Sequence, residues 1–566
     1  MIPFLLYFSR QKKLKRLAVL VILLGYILQV MGCSSDNASS SVSSESVLPG
    51  EPWIPQVPGL SASNHNAQIS VAKETQTLLN VPLIGLSQPL PNSKLVTVNF
   101  NVPADLGRLG SITLMGQAVD IPQNVGGGAF AYLVSLSDSN GNDFIHLNTS
   151  CYNSGLFSCS FGNCSLNSQC IPQWPSAYYS HTAWDVKQGL TTSGIDQVSV
   201  NTFPTCNWTE GLGSFNYEKP GCAFNSNFFP SPSSDRLASG LYTAKYALLS
   251  DSWTSLSGVR ATLKFSLLKK TNNSNDLSGA IDLNIILTGT QNVKDSRTKA
   301  GKRNLNSLIS GVAKLLQGSD QLLRLGEVHA IEWYGTEADQ YADLSTDKIE
   351  NLFKKTSSLV PQQHEGNTIN AFLVNSITDK SAGSFTILGQ SGAIGGPALS
   401  GTSSSGLVFS TFQLLATMNK DCSGENTICP ESATDADFVD LVATMTHELA
   451  HYLGLFHVSE STGTMHDAVF DTPICTNTDS QSYITINSCR STDNTFVFPV
   501  TGSKCYQECL NYNPNSGIFC SQAQSCIFNN LMWVYSKNYD LKTHQGDANF
   551  ISAQQEKIIN YSPFVQ

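Results

Sequence analysis

The sequence predicts a multidomain chain: an N-terminal antiparallel, β-sandwich-like domain followed by an α/β (α+β) domain. Three observations lead there. The length of 566 residues exceeds what one hydrophobic core ordinarily organises, so two or three domains are expected. Up to residue 275, short β-branched runs alternate with turn residues, the pattern of half-buried antiparallel strands. Beyond it, strand-like runs are interleaved with a segment whose apolar residues recur at helical spacing.

Residues 1–32 read as an export signal. "RQKKLKR" (Arg10 to Arg16) is a basic stretch, and "LAVLVILLGYILQV" (Leu17 to Val30) is an apolar run too short for a comfortable membrane span. The following "VMGCSS", with Gly32 before Cys33, resembles a bacterial lipobox. The resemblance implies lipidation at Cys33 and a protein exported to the bacterial cell envelope, at the outer membrane or cell surface. Residues 33–65 are rich in Ser and Pro without periodicity and read as a tether.

Residues 66–275 form the β-rich domain. "KLVTVNFNV" (Lys94 to Val102), "AFAYLVSL" (Ala129 to Leu136), "LYTAKYALL" (Leu241 to Leu249) and "ATLKFSLL" (Ala261 to Leu268) read as its strands. A Cys- and aromatic-rich insertion, residues 150–225, is expected to hold little regular structure. No motif in this domain carries chemistry.

After the polar link "KKTNNSNDLSG", residues 276–566 read as the α/β domain. "AIDLNIILTG" (Ala280 to Gly289), "EVHAIEWY" (Glu327 to Tyr334) and "TINAFLVNSI" (Thr368 to Ile377) are expected strands. Leu305, Leu308, Ile309, Val312 and Leu316 repeat at helical spacing and predict an amphipathic helix. "GQSGAIGGPALSGTSSSG" (Gly389 to Gly406) reads as a flexible loop, because its glycines do not follow a strand–loop–helix phosphate pattern.

Cysteines and charge narrow the setting. Setting Cys33 aside leaves fourteen of fifteen cysteines, six between Cys151 and Cys222 and eight between Cys422 and Cys526. Both groups are even, as disulfides closing within domains of an exported protein require. "CYQEC" (Cys505 to Cys509) also fits a zinc ribbon, which an oxidising compartment disfavours. The net charge of −10 argues against nucleic acid as a partner.

The chemistry concentrates in "THELAHYLGLFH", Thr446 to His457. Phe438, Leu441, Val442, Met445 and Leu449 make a stripe that predicts a helix over residues 437–453. On it His447 and His451 are i and i+4, one turn apart on a single face, so both imidazoles reach one metal ion. Glu448 stands beside that face, placed to act on a water. Gly454 tolerates the positive φ that ends a helix and lets the chain return His457 as a third ligand. Three neutral imidazoles leave a fourth position for water, the open arrangement of catalytic Zn2+. At this chain's own His and Gly abundance, all five fixed positions of HExxHxxGxxH coincide by chance on the order of once in 10⁵ chains. A structural zinc site prefers four closed ligands and has no use for Glu448.

HExxHxxGxxH followed by a Met-turn resembles the metzincin metalloproteases. "NNLMWVYS" (Asn529 to Ser536) offers Met532 for that turn. "HDAVFDTPIC" (His466 to Cys475) and "FISAQQEKI" (Phe550 to Ile558) resemble the segment before the turn and the final helix of the pappalysin-like branch. The similarity covers residues 280–566. It implies a metzincin-type catalytic domain with Zn2+ on His447, His451 and His457, Glu448 as general base, and Met532 as an apolar floor under the imidazoles. The implied partner is a protein or peptide substrate. Relatives place a Tyr two residues after the turn Met; Val534 stands there in this chain and Tyr535 one later, which leaves open an oxyanion or fifth-ligand role for Tyr535. Asp467 and Asp471 fit either a structural Ca2+ or the capping of loop backbone. A cysteine-rich insertion, Cys505 to Cys526, is expected to form a stapled loop near the cleft. The expected function is that of a membrane-anchored zinc endopeptidase. The alternative is a surface binding protein or adhesin whose β-domain is the working part.

Overall fold

The computed structural model describes most of residues 55–146 and 239–411, residues 436–457 except 456, residues 553–566, and short pieces within 157–166, 195–200, 474–475, 489–490 and 531–532. Cys33 and the export signal, Asp467, Asp471, Tyr535 and the Cys505–Cys526 insertion lie outside the described residues.

The β-rich part is built from β1 (Ile69–Gly85), β2 (Val96–Val102), β3 (Ser111–Val119), β4 (Ala129–Ser137), β5 (Asp143–His146), a small hairpin β6 (Phe157–Ser160) and β7 (Asn163–Leu166), β8 (Ile195–Val200), β9 (Gly240–Ser250) and β10 (Arg260–Asn272). Eight of them form one sheet: seven follow the hydrogen-bonded path β5-β4-β9-β1-β10-β3-β8, and β2 pairs with β9 off that path. All pairs are antiparallel except β1 with β9, which run parallel over Leu83 to Gly85. The register of β1 shifts between Leu78 and Val81, where Asn80 adopts φ +56°. Such a bulge lets one strand leave one set of neighbours for another. The rings of Phe265 on β10 and Tyr246 on β9 stand edge to face at 5.8 Å. Gly116 permits the approach: a Cβ there would lie 2.7 Å from the Tyr246 ring.

Two expectations about this part need correcting. The cysteine-rich insertion holds more regular structure than its composition suggests, because residues 195–200 pair with Ile112 to Gln117 of β3 as β8. The tether ends before residue 65. Val57 is buried in the core, Asn64 Nδ2 donates to the Leu325 carbonyl (3.2 Å), and His65 Nε2 lies 2.8 Å from Asp282. A Ser/Pro-rich composition does not foretell these long-range polar contacts.

The α/β part contains β11 (Gly279–Thr288), α1 (Lys299–Gln317), β12 (Leu323–Trp333), α2 (Thr336–Ala342), β13 (Asp343–Ser345), α3 (Ile349–Lys354), α4 (Thr356–Leu359), β14 (Ile369–Val374), β15 (Ser376–Asp379), β16 (Phe385–Ile387), β17 (Gly389–Ser391), β18 (Leu407–Ser410) and α5 (Ala436–Tyr452). The strand pair β19 (Ile474–Cys475) and β20 (Cys489–Arg490), then α6 (Ala553–Tyr561), complete the described strands and α-helices. The central sheet has the order β12-β11-β14-β18-β17, parallel except for β17. Every residue of β11 is buried, as expected of a strand covered on both faces. The predicted stripe of α1 is wholly in the core. This helix packs on α5 at Gly311, where a Cβ would lie 2.6 Å from Val442.

The strand expected over 368–377 is two. Asn375 donates its N–H to the Ala342 carbonyl (2.6 Å), which turns the chain out of the central sheet after β14 and into the three-stranded sheet β13-β15-β16. The glycine-rich segment is also less free than expected, since its first residues form β17 against β18.

Residues 46–566 make one compact unit. Met115 and Leu268 of the β-rich part share a core with Ile281, Leu449 and Val565. The C-terminal residues lie in the seam: Ser111 Oγ donates to the Tyr561 carbonyl (2.5 Å), and Gln566 exchanges backbone hydrogen bonds with Ala280. Lys270, fully buried, donates to the carbonyls of Asn560 and Ser562. Burial pushes its pKa from 10.5 down to about 7. Between those two values the unfolded chain binds a proton that the folded chain does not, so the lysine makes stability rise with pH through that window. A Lys270→Met variant is expected to lose this slope. Denaturant unfolding of both proteins from about pH 6 to about pH 10 reads it, and parallel profiles would count against the account.

Among the described residues no helix is long and apolar enough to cross a membrane.

Candidate metal centre

Helix α5 carries the first two histidines as its spacing requires. The rings of His447 and His451 stand edge to face with centroids 4.6 Å apart. Leu441, Val442, Met445 and Leu449 bury the opposite stripe, which fixes the helix rotation that aims the imidazoles outward from the core.

The helix ends in a Schellman motif. Gly454 has φ +109°, its N–H donates to the His451 carbonyl (2.9 Å), and the Leu455 N–H reaches back to Ala450 (3.0 Å). A residue with a Cβ would be strained at that φ. The turn sends the chain back across the helix end, and His457 arrives beside the other two. Its Nε2 lies 3.1 Å from His447 Nε2 and 3.1 Å from His451 Nε2. These three side chains form a group that could hold a metal ion, with donor atoms all within 4.8 Å of one another.

Hydrogen bonds set which ring atoms face the centre. His447 Nδ1 lies 2.7 Å from the Leu531 carbonyl, and His451 Nδ1 lies 2.6 Å from the Leu455 carbonyl. A carbonyl only accepts, so each Nδ1 carries the proton and each Nε2 presents a lone pair. The single Nε2 of His457 can donate to one of these at most. Converging lone pairs repel unless a cation takes them. Nitrogens at about 2.0–2.1 Å from a tetrahedral Zn2+ lie about 3.3 Å apart, close to the spacing here. Burial, followed by the repulsion that protonated neighbours at His447 and His457 would add, holds the pKa of His451 well below its ordinary value, which favours the neutral ring that a metal ion requires. The residues present therefore fit a divalent ion.

Glu448 sits next to this cluster without joining it. Ser391 on β17 donates its backbone N–H to Glu448 Oε2 at 2.7 Å. Protein crowds the carboxylate, although part of the residue still reaches solvent. Burial raises its pKa to about 7, while the Ser391 N–H and the electrostatic influence of His457 pull the other way. With Oε2 held, Oε1 remains for a water.

Met532 is fully buried in the turn that follows Leu531, so the backbone bond to His447 and the apolar side chain come from adjacent residues. Gly395 (φ +68°) and Gly396 donate backbone N–H groups to the carbonyls of His451 and Tyr452, both at 2.9 Å. The glycine-rich segment is thus a cap on the end of α5. A Cβ at Gly396 would fall 2.0 Å from the Tyr452 ring. Gly396→Ala is expected to cost about 1–3 kcal/mol by overpacking. A melting temperature equal to the wild type's would contradict that contact.

Sequence reasoning missed the Ser391 N–H, the Leu531 and Leu455 carbonyls, and the two glycine N–H groups. All are backbone groups, which side-chain identity does not announce. The density of glycine in residues 389–396 was the available signal, since glycine marks close backbone approach.

No family model and no curated protein matches this chain. Among solved structures, a chain from a chaperone–substrate complex aligns with 51% of this chain and 35% of its own length, at 11% identity and a TM-score of 0.22. The chain thus spans about a third of that neighbour, and so loose a superposition carries no argument.

Proposed function

We propose that the chain is a metal-dependent hydrolase in which His447, His451 and His457 hold one divalent ion. More particularly, we read it as a pappalysin-like metzincin, a zinc endopeptidase acting on proteins or peptides of the cell envelope. The observation that carries the reading is the approach of His457 Nε2 to within 3.1 Å of both other Nε2 atoms. The sandwich-like character of the β-rich part, the metzincin-type catalytic fold and the lipid anchor at Cys33 belong to the same proposal. So do Met532 as the turn methionine, any role for Tyr535, and Ca2+ at Asp467 and Asp471.

A zinc ion in the triad would lower the pKa of a coordinated water and polarise a substrate carbonyl. The protein's own groups do the rest. The Leu531 and Leu455 carbonyls fix the tautomers and orientation of His447 and His451. Glu448 Oε1 takes a proton from the attacking water and delivers it to the leaving amine. The Ser391 N–H keeps Oε2 in place, so the base needs no reorientation. In its sheet, β17 is the terminal strand among the described residues. An extended peptide pairing with its edge would pass beside Glu448.

The test is a cleavage-site profile of a broad peptide library with the zinc-loaded protein and its Glu448→Ala variant. Cleavage by the wild type that the variant loses supports the peptidase. No cleavage by either, together with matrix or glycan binding that survives loss of the triad, would favour the adhesin reading.

A further inference from the structure

Two backbone registers place cysteine directly opposite cysteine. In the β6–β7 hairpin, Cys159 pairs with Cys164. In the β19–β20 pair, Cys475 pairs with Cys489. We infer that Cys159 and Cys164 form one disulfide and that Cys475 and Cys489 form another.

The geometry suits the bond. Residues directly opposite in an antiparallel pair share one face of the ladder. Their Cα atoms lie about 4.5 Å apart in non-hydrogen-bonded pairs and about 5.5 Å apart in hydrogen-bonded ones. Both spacings fall in the range of roughly 4.4–6.8 Å that a disulfide spans. For the first pair the class follows from the turn. Ser160 and Asn163 are the next register pair, and only two residues separate them in the sequence. The pair closing a two-residue turn is the hydrogen-bonded one, so Cys159 and Cys164 occupy the narrower, non-hydrogen-bonded position. The second bond would close the loop over residues 476–488, between the last histidine of the metal centre and the Leu531–Met532 turn in the chain.

Each bond forms by exchange with a disulfide oxidant of the export compartment. One thiolate attacks the oxidant's disulfide, and the second thiolate displaces the resulting mixed disulfide. The protein loses two protons and two electrons, and the oxidant leaves as a dithiol. Both groups of cysteines stay even after these pairs are removed, and the pairings left open shrink roughly five-fold in the first group and seven-fold in the second.

Chymotrypsin makes the test direct, because Phe161 and Tyr483 each lie between the two cysteines of a pair. The full chain, exported into an oxidising compartment, is alkylated without reductant, digested and analysed by mass spectrometry. Cleavage at Phe161 should leave two peptides joined only through Cys159 and Cys164, and cleavage at Tyr483 two joined through Cys475 and Cys489. Both should separate on reduction. Each pair is judged alone: a member found on another cysteine, or alkylated as a free thiol, overturns it. In a Cys475→Ser variant a single new thiol should label, at Cys489. A new thiol anywhere else would overturn the second bond. Neither readout depends on a bound metal.

Discussion

Replacing Glu448 with alanine is expected to slow peptide hydrolysis roughly 10²–10⁴-fold, the usual contribution of a positioned general base. Metal content should not change. The three Nε2 atoms converge without help from the carboxylate, and the two rings of α5 are held by the Leu531 and Leu455 carbonyls. The variant also leaves the Ser391 N–H without its acceptor. Glu448→Gln keeps an oxygen for that N–H and lacks a proton-accepting carboxylate, so the two variants separate loss of the base from disturbance of β17. Both should be equally slow. If Gln restored most of the rate, Glu448 would be a strut for β17 and the assignment of a base would fall.

Removing His457 is expected to empty the centre. Changes to groups that merely orient a ligand cost metal affinity roughly 10–100-fold, and loss of a ligand should exceed that. His457 lies beyond the Schellman turn and only part-buried, so His457→Ala should leave the packing of α5 and its melting temperature without metal near the wild type's. Zinc titration by calorimetry, with metal counted per purified chain, reads the effect. A variant that bound zinc as tightly as the wild type would show that a different third group completes the site.

The α5 half of the site was legible in the sequence because it is local. Spacing of three and four residues defines the buried stripe of the helix, and i, i+4 stacks two imidazoles whatever the surroundings. Gly454 could be read as the stop because only glycine takes φ +109° without strain. The strand at Ala280 and the amphipathic helix over Leu305 to Leu316 were legible for the same reason. Where composition stood in for periodicity, the reading failed. The tether was carried too far, past the docked Val57 and Asn64; β8 was lost in a cysteine-rich stretch, and β17 in a glycine-rich one. Asn375 interrupts an apolar run only because Ala342 presents a carbonyl to it, and no local pattern encodes that partner.

By itself, the sequence determined the candidate ligands, their order, the helix that spaces two of them and the glycine that frees the third. Whether that third imidazole reaches the others is a question of where the chain goes after the turn. Tertiary structure alone decided it, together with the pairing of His447 with Leu531, Glu448 with Ser391, and the end of α5 with Gly395 and Gly396. The physical reason is that each of these restraints is a hydrogen bond to a backbone group of a residue distant in sequence. Every residue but proline carries a backbone donor, and every residue an acceptor, so only the packing of the sheet against α5 selects which ones meet.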